Sequence, residues 1–212
     1  MKKIALFALI LAIPICALLG QDLKPIVLPK PDTTGGKPLM AALRERKTSR
    51  SFTGEKLPAQ VLSNLLWAAF GINRPDGHRT APSAMNWQEI DVYCAMENGL
   101  YLYDARENVL EPVLGEDIRE KTGTQGFVKD APLNLVYVAD LSKTGRARGE
   151  DQTIYTSADA GFIAQNVYLY CASEGLAVVV RGLLDRPLLA KAMKLRPDQK
   201  IVLGQTVGYP KK

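Results

Sequence analysis

Three cationic and two hydroxyl side chains occupy five consecutive positions, Arg46, Lys47, Thr48, Ser49 and Arg50. Guanidinium groups bind phosphate through paired hydrogen bonds, and hydroxyl groups add further short hydrogen bonds. The cluster therefore has the side chains of a phosphate site, placed at the end of a predicted helix. A solvated basic helix end has the same composition, and it is the simpler interpretation when the cluster is considered alone.

A second polar segment runs from Arg79 to Gln88 and combines small side chains with two amides. Such a loop can bring backbone N–H groups close to a flat polar ligand, and its side-chain amides can form hydrogen bonds with both donors and acceptors of that ligand. An ordinary connector is the alternative. His78 and Arg79 border the loop, where they could face an anionic substrate.

A third segment, Arg181-Gly182, directly follows an apolar run that predicts a buried strand. Glycine at this position allows a ligand to approach the backbone closely. An ordinary turn at the end of a strand would have the same sequence. Each of the three segments is thus ambiguous alone, and their combination indicates a site for an anionic, planar ligand.

The sequence lacks the motifs of several common catalytic sites. It contains no G-x-G-x-x-G after a strand, no phosphate-binding G-x-x-x-x-G-K-[ST], no G-x-S-x-G and no H-E-x-x-H. His78 is the only histidine, and C-x-x-C is absent, so neither a catalytic triad nor a zinc site is indicated. We therefore predict no metal site.

The chain has 212 residues, of which 47% are hydrophobic, which suits one domain or at most two. Its first residues have the pattern of a signal peptide, because Lys2 and Lys3 precede an apolar run that gives way to small residues before Gly20. Residues 1–20 are predicted to direct export to the periplasm or out of the cell, with an uncleaved membrane anchor as the alternative. Proline and glycine then predict an extended arm over residues 21–36, before a domain of residues 37–212.

Charge and cysteine content restrict the partners. Removal of the leader would lower the formal net charge from +5 to about +3, and no basic run with interleaved aromatic residues is present. The sequence therefore predicts no nucleic-acid binding and no stable membrane span after leader cleavage. Cys94 and Cys171 are predicted as buried apolar residues, or as a single disulfide in an oxidising compartment.

Periodicity places these segments in an α+β domain. Alternating strands over residues 91–96 and 100–104 flank Glu97-Asn98-Gly99 and predict a hairpin. The longest helical pattern, residues 151–174, is apolar on most sides and is predicted to be buried in the core or a subunit interface. The other predicted helices cover residues 37–46, 58–71, 116–122 and 187–195, and the other strands residues 109–113, 133–139, 176–180 and 201–208. This order predicts a central, mainly antiparallel sheet flanked by helices, with residues 141–150 as a charged loop.

Two of the polar segments resemble motifs of the FMN-dependent nitroreductase family. Arg46-x-Thr48-x-Arg50-x-Phe52 is similar to the family's R-x-S-x-R-x-F motif, with threonine in place of serine. Pro82-Ser-Ala-Met-Asn86-Trp-Gln88 is similar to its P-S-S-x-N-x-Q loop. Val180-Arg-Gly182 and Val207-Gly-Tyr-Pro210 fall where the family has flavin-side and closing-strand segments, so the resemblance spans residues 38–210.

The resemblance implies that the cationic cluster binds the phosphate and ribityl end of FMN. Arg46, Thr48 and Arg50 would hold these groups, and Lys47 would contribute charge or a backbone contact. The family also implies a homodimer with FMN in the subunit interface, where the long apolar helix would be buried.

The other two segments would contact the flavin ring. Pro82, Ser83 and Asn86 would contact the ring or the ribityl chain, and Gln88 would support their loop. Backbone N–H groups near Arg181-Gly182 would face N5 and O4 of the flavin and stabilise charge on the ring.

Three departures from the family pattern accompany the resemblance. Glu89-Ile90 follow Gln88 where the family usually has proline and then tryptophan or histidine. Many relatives continue beyond the position of Pro210 to a late basic residue, which Lys211 and Lys212 would replace unless they form a frayed tail. NADH or NADPH is the family's usual hydride donor, and an exported protein would meet little of either.

The function implied by the resemblance is an FMN-dependent oxidoreductase in which the flavin carries the chemistry, so no catalytic side chain is expected. It would pass hydride or electrons in a ping-pong cycle to a nitroaromatic compound, a quinone or a similar small acceptor. Two alternatives stay open: a catalytically silent flavin- or ligand-binding module, and a flavin dehydrogenase or oxidase acting on a peptide or small metabolite.

Overall fold

The computed structural model describes residues 23–211. The predicted leader, residues 1–20, and the proposed role of Lys212 lie outside the described residues. Among residues 23–211, no helix combines the length and the apolar content needed to cross a membrane.

Seven strands form one sheet in the order β1-β4-β3-β2-β5-β7-β6, and neighbouring strands run antiparallel throughout. The predicted α+β architecture with an antiparallel sheet is confirmed. The strands are β1 (Ile26–Val27), β2 (Ile90–Met96), β3 (Gly99–Asp104), β4 (Val109–Leu114), β5 (Leu133–Asp140), β6 (Ala177–Arg181) and β7 (Gln199–Gly208).

Local sequence chemistry accounts for the best-defined parts of the sheet. Gly99 adopts a φ of +144° at the β2–β3 hairpin, which its missing side chain allows. All eight residues of β5 are buried, because the strand lies between β2 and β7 and is covered on both faces. The prediction of a central strand over residues 133–139 is therefore confirmed.

Helices cover both faces of the sheet, which separates two apolar cores, and a third, small cluster forms around Phe52. The larger core lies under α2 and α3, and a smaller one, which includes Val136, Leu189 and Met193, lies under α4. The helices are α1 (Leu39–Glu45), α2 (Ala59–Phe70), α3 (Gly149–Glu174) and α4 (Arg186–Ala192).

The long helix α3 is buried along one face only. Ile163, Val167 and Cys171 face the core, whereas Ile154 and Phe162 are exposed on the opposite side. The helix ends at Gly175, whose φ of +72° is the left-handed conformation that glycine favours after a helix. The apolar pattern that predicts burial on most sides therefore leaves an uncovered apolar face in a single chain.

Several segments differ in detail from their predictions. The strand β1, which pairs with β4, lies within the predicted arm and was not predicted. The predicted helix over residues 116–122 is a 3₁₀ turn, Arg119–Thr122. The predicted loop over residues 141–150 is shorter, because a 3₁₀ turn forms at Leu141–Lys143 and α3 begins at Gly149. Cys94 and Cys171 are both buried and both free, so the buried-residue alternative is correct.

Candidate functional site

The cationic segment, residues 46–50, lies along the open edge of β6. The helix α1 ends at Glu45 because Arg46 leaves the helical conformation with a ψ of 119°. The Ser49 N–H then donates to the Val178 carbonyl across 2.9 Å. This contact covers part of an edge strand that would otherwise expose unpaired backbone groups. The side chains of Lys47, Thr48 and Arg50 are left exposed.

Tyr168 on α3 joins this segment to β6. Its hydroxyl accepts the Val180 N–H at 3.0 Å and lies 3.0 Å from Thr48 Oγ1, and the Arg46 guanidinium lies 5.3 Å from its ring centre. When Tyr168 donates its own proton to Thr48, the Thr48 hydroxyl proton stays free for a bound anion. The contact with Arg46 is at cation–π distance, which orients that guanidinium beside the hydroxyls.

Gly182 continues the same edge of β6. Alternate residues of a strand direct their N–H and C=O groups to the same side, so Gly182 follows Val178 and Val180 on the open edge. Within the described chain, the Gly182 N–H has no hydrogen-bond partner, and a Cβ atom built on Gly182 would meet nothing within 4 Å. The backbone at Gly182 is therefore accessible to a ligand beside the cationic segment.

The Arg181 side chain points the other way, into the core. It is 5% exposed, and its guanidinium donates to Thr206 Oγ1 at 3.0 Å, to Asn134 Oδ1 at 3.1 Å and to the Thr122 carbonyl. Burial lowers the pKa of Arg181 to about 10, so the group is still protonated at neutral pH. The Arg181 charge is therefore not available to a ligand, and its backbone pairs with Gly204 of β7, so a backbone contact at this end of β6 falls to Gly182.

The loop from Arg79 to Gln88 is held in one conformation by its own side chains. The Ser83 hydroxyl accepts the Gln88 N–H at 2.9 Å, and the Gln88 amide donates to Asn86 Oδ1 and the Gly77 carbonyl at 3.0 Å each. Met85, Asn86 and Gln88 adopt positive φ angles between 49° and 55°, which are uncommon for residues other than glycine. This network fixes the unusual backbone, and it leaves Pro82 and Met85 exposed.

Arg79 connects the loop to the end of α2. Its guanidinium donates to Gln88 Oε1 at 2.8 Å and to the Phe70 carbonyl at 3.0 Å, and it stacks 4.9 Å from the Phe70 ring centre. Arg79 is therefore committed to the scaffold and does not face an anionic substrate. His78 lies in the preceding turn, where it contacts Asp76 at 2.8 Å.

The loop is anchored to α3 by a carboxyl group. The Ala84 N–H donates to Asp159 Oδ2 at 2.8 Å, and Asp159 is buried. Asp159 and Tyr168 lie nine positions apart on α3, about 13.5 Å along the axis at 1.5 Å per residue. The cationic segment and Gly182 thus meet at Tyr168, whereas the loop with Ser83 and Asn86 is held farther along the same helix.

Sequence reasoning missed Tyr168, Asp159 and Glu89. Tyr168 and Asp159 lie in a helix whose apolar pattern predicts packing, so their polar groups were counted with the core. Asp159 is the one acidic residue on the buried face of the described α3, and a lone acid among apolar positions was the available signal. Glu89 was noted only as a departure from the family pattern, although it is fully buried.

The exposed groups suit a phosphorylated planar cofactor. Arg46, Lys47, Thr48 and Arg50 offer guanidinium, ammonium and hydroxyl donors without an acidic partner among the described residues, which matches a phosphate. The accessible backbone at Gly182 lies beside them, where a flat ring could approach. Across residues 23–211, no group of three or more histidine, cysteine or acidic side chains is arranged to hold a metal ion.

The chain is similar to known proteins in both sequence and structure. The family model described as Nitroreductase family matches residues 43–209. The crystal structure of a nitroreductase homologue from Ralstonia eutropha is 45% identical, covers 92% of this chain and 93% of that chain, and superimposes with a TM-score of 0.86. A nitroreductase homologue of Methanocaldococcus jannaschii is 27% identical over 164 residues, which cover 73% of this chain and 83% of that protein. The NADPH:FMN oxidoreductase of Vibrio harveyi, solved with NAD+, is 18% identical, covers 82% of this chain and 69% of its own, and shares the fold at a TM-score of 0.63.

Proposed function

The chain belongs to the nitroreductase family, and we propose that it is an FMN-dependent oxidoreductase that reduces a small acceptor such as a nitroaromatic compound or a quinone. One observation carries the proposal: the exposed cationic segment lies along the open edge of β6, beside the accessible backbone of Gly182. The Vibrio harveyi oxidoreductase, whose name includes FMN, has the same fold and supports a flavin as the cofactor.

The side chains of this chain bind and orient the cofactor. Arg46, Lys47 and Arg50 supply the positive charge for the phosphate, and Thr48 donates a hydroxyl hydrogen bond that Tyr168 leaves free. FMN, when bound, supplies the hydride and electron transfer, which proceeds in alternating reductive and oxidative half-reactions. Catalysis then needs no acid or base from the protein at the cationic segment, which agrees with the scarcity of such groups there.

Lys211 is a further candidate for the phosphate site. Its N–H donates to the Ser51 carbonyl at 3.3 Å, and Pro210 forms a bridge with Phe52, so the chain returns beside Arg50. In our proposal Lys211 takes the place of the late basic residue found in relatives.

We propose further that two copies of the chain form a homodimer. Leu39, Met40 and Leu43 on α1 are exposed, as are Ile154 and Phe162 on α3, and exposed apolar area favours burial against a partner. In a dimer, the Pro82–Gln88 loop of one subunit could meet the cationic segment of the other. Analytical ultracentrifugation showing only monomer at micromolar concentration would contradict this part of the proposal.

Export is also part of the proposal. The basic and apolar pattern of residues 1–20 supports it, and NADH or NADPH would then be scarce around the mature protein. Fractionation of expressing cells should recover the mature chain outside the cytoplasm. Recovery of the full-length chain in the cytoplasm would contradict export and would favour a nicotinamide nucleotide as the electron donor.

The central experiment is a flavin titration of the purified protein. We expect the visible absorbance spectrum of bound flavin, either as purified or after FMN addition and gel filtration. A protein that stays colourless after this treatment would overturn the proposed function.

A second measurement separates the enzyme from a silent flavin-binding module. The bound flavin is reduced chemically without oxygen, and its reoxidation is followed after addition of a quinone or a nitroaromatic compound. The enzyme is expected to be reoxidised much faster with the acceptor than in buffer alone. Equal rates would leave flavin binding intact and would favour the silent module.

Tyr168→Phe tests how the cationic segment is organised. The substitution keeps the ring beside Arg46 and removes one hydroxyl, so we expect the FMN dissociation constant to rise about fivefold, the value of one hydrogen bond of about 1 kcal/mol. Tyr170→Phe is the matched control, because Tyr170 lies on the same helix and donates to Val61 at 3.3 Å. Equal FMN affinities in the two variants would show that Tyr168 does not organise the site.

A further inference from the structure

A buried carboxyl group lies directly beneath the Pro82–Gln88 loop. Glu89 is 0% exposed, and neither of its carboxyl oxygens receives a hydrogen bond from any other described residue. Its backbone is fixed, because the Glu89 carbonyl accepts the Asp140 N–H at 2.9 Å where β2 begins. An ionised carboxylate without a donor would be costly in this position, so the group requires an explanation.

A second buried carboxyl, that of Asp159, lies near Glu89. Asp159 on α3 interacts with Glu89, and its Oδ2 already accepts the Ala84 N–H at 2.8 Å. Two ionised carboxylates cannot bond to each other, whereas a protonated one donates to an ionised one. A single proton held between the two side chains would give the buried Glu89 carboxyl the partner that it lacks.

No cation neutralises this pair among the described residues. Lys143 is the cation that acts on Glu89, but its Nζ lies 3.0 Å from Asp91 and 4.0 Å from Asp140, which occupy it. Burial raises the pKa of Glu89 to about 7, and the neighbouring Asp159 adds to the increase. The groups that face Glu89 are thus Asp159 from α3 and Lys143 from the turn after β5.

We propose that Glu89 and Asp159 share one proton beneath the Pro82–Gln88 loop, and that this proton fixes the loop by holding Asp159 in place as the acceptor of the Ala84 N–H. Glu89 and Asp159 are then positioning residues of the candidate flavin site. The effect on flavin rests on the function proposed above, whereas the shared proton does not depend on it.

The proposal defines how stability depends on pH. The folded state binds the Glu89 proton more tightly than the unfolded chain, whose glutamate titrates near 4.5. The stabilisation is therefore complete below that pH and is lost as the pH rises towards about 7. Above this range the charged Glu89 carboxyl is repelled by Asp159, and the Ala84 anchor is weakened.

Infrared spectroscopy and unfolding of the flavin-free protein test the shared proton. We expect the carbonyl band of a protonated carboxylic acid near pH 6 that Glu89→Gln removes, because glutamine keeps a donor towards Asp159 but cannot ionise. The urea midpoint of the wild type should fall between about pH 5 and pH 8 relative to that of Glu89→Gln. Absence of the band, together with parallel midpoints, would overturn the proposal.

Asp159→Asn gives a second variant in case Glu89→Gln does not fold. Asparagine can still accept the Ala84 N–H and can donate to Glu89, so the loop anchor is kept while one negative charge is removed. The fall in midpoint with pH should be smaller in this variant. A pH dependence identical to that of the wild type would also overturn the proposal.

FMN affinity gives the functional readout. From about pH 6 to about pH 8.5 the wild type should lose about tenfold in affinity, and Glu89→Gln should change less than about twofold. If the shared proton is observed but the wild type and Glu89→Gln lose FMN affinity equally with pH, the positioning role is overturned. Failure of every variant, and of the wild type, to bind FMN would instead refute the proposed function and leave the carboxyl pair standing.

Discussion

Replacement of Arg181 with alanine is expected to lower the free energy of unfolding by about 3 kcal/mol. The guanidinium is buried and donates to Asn134, to Thr206 and to the Thr122 carbonyl. Truncation leaves Thr206 Oγ1 and the Thr122 carbonyl without the arginine as donor, whereas Asn134 Oδ1 keeps the Thr206 hydroxyl as a donor at 2.6 Å. Each buried, unpaired polar group costs about 1–3 kcal/mol. Removal of the guanidinium also removes the cost of burying its positive charge, which offsets part of this loss. We therefore expect a total smaller than the summed cost of the unpaired groups. Urea unfolding of the flavin-free protein measures the change.

Two further variants make this prediction specific. Arg181→Lys keeps the charge but cannot reach all of the acceptors with one ammonium group, so its loss should lie between those of the wild type and of alanine. Arg106→Ala removes an exposed arginine from the β3–β4 turn and should change stability by less than about 0.5 kcal/mol. Similar stabilities of Arg181→Ala and Arg106→Ala would show that the buried network contributes little.

Arg181 also shows where sequence reasoning stops. The dipeptide Arg181-Gly182 correctly marks the end of a buried strand, but it does not reveal which face of the sheet the arginine occupies. That depends on the alternation of side chains along β6 and on its pairing with β7, which places Thr206 beside the guanidinium. Asn134 joins this site from β5, far away in the chain, and its contribution could not be predicted from local pattern.

The parts of the fold that were predicted correctly depend on nearby residues. The β2–β3 hairpin follows from Asn98-Gly99, and the end of α3 follows from Gly175. The strand β1 was missed because two residues carry too little pattern, and it forms only by pairing with β4. Long-range contacts therefore determine the structure of segments whose own sequence is too short to predict it.

The same distinction between local patterns and long-range contacts applies to the candidate site. The sequence motifs identified the cationic segment and the loop, but the residues that position them, Tyr168 and Asp159, lie in the apolar pattern of α3. Their polar atoms accept hydrogen bonds from the backbone N–H groups of Val180 and Ala84. Such contacts do not depend on the spacing of residue types along the sequence, so the sequence pattern does not reveal them. The two motifs are therefore evident from the sequence, whereas their arrangement on one helix is evident only from the fold.

The edge of β6 explains why the cationic segment is suited to a ligand. Its apolar residues predict a buried strand, and the strand is buried, although it lies at the edge of the sheet. Residues 46–50 cover this edge through the Ser49–Val178 hydrogen bond, and their long side chains are left free. A segment held by its backbone can offer its side chains to a phosphate with little loss of fold stability.

Arg50→Ala is accordingly expected to weaken FMN binding by about 1.5–3 kcal/mol, or about 10- to 150-fold in the dissociation constant. This is the range of a charge-assisted hydrogen bond to phosphate lost from the site. Arg50 is exposed, and its guanidinium forms no hydrogen bond or ion pair with the described residues, so the urea midpoint of the flavin-free protein should not change. Titration of the variant with FMN, followed by flavin fluorescence, measures the effect.

Arg106→Ala is the control for charge, because it removes one positive charge at a distance. The β3–β4 turn lies four strand spacings from β6, about 19 Å at about 4.8 Å per spacing, which exceeds the Debye length of about 10 Å at 0.1 M salt. Its FMN affinity should equal that of the wild type. The deficit of Arg50→Ala should also shrink as salt is added, because screening weakens the wild-type contact. An unchanged dissociation constant in Arg50→Ala would mean that the cationic segment is a solvated surface and that the phosphate binds elsewhere.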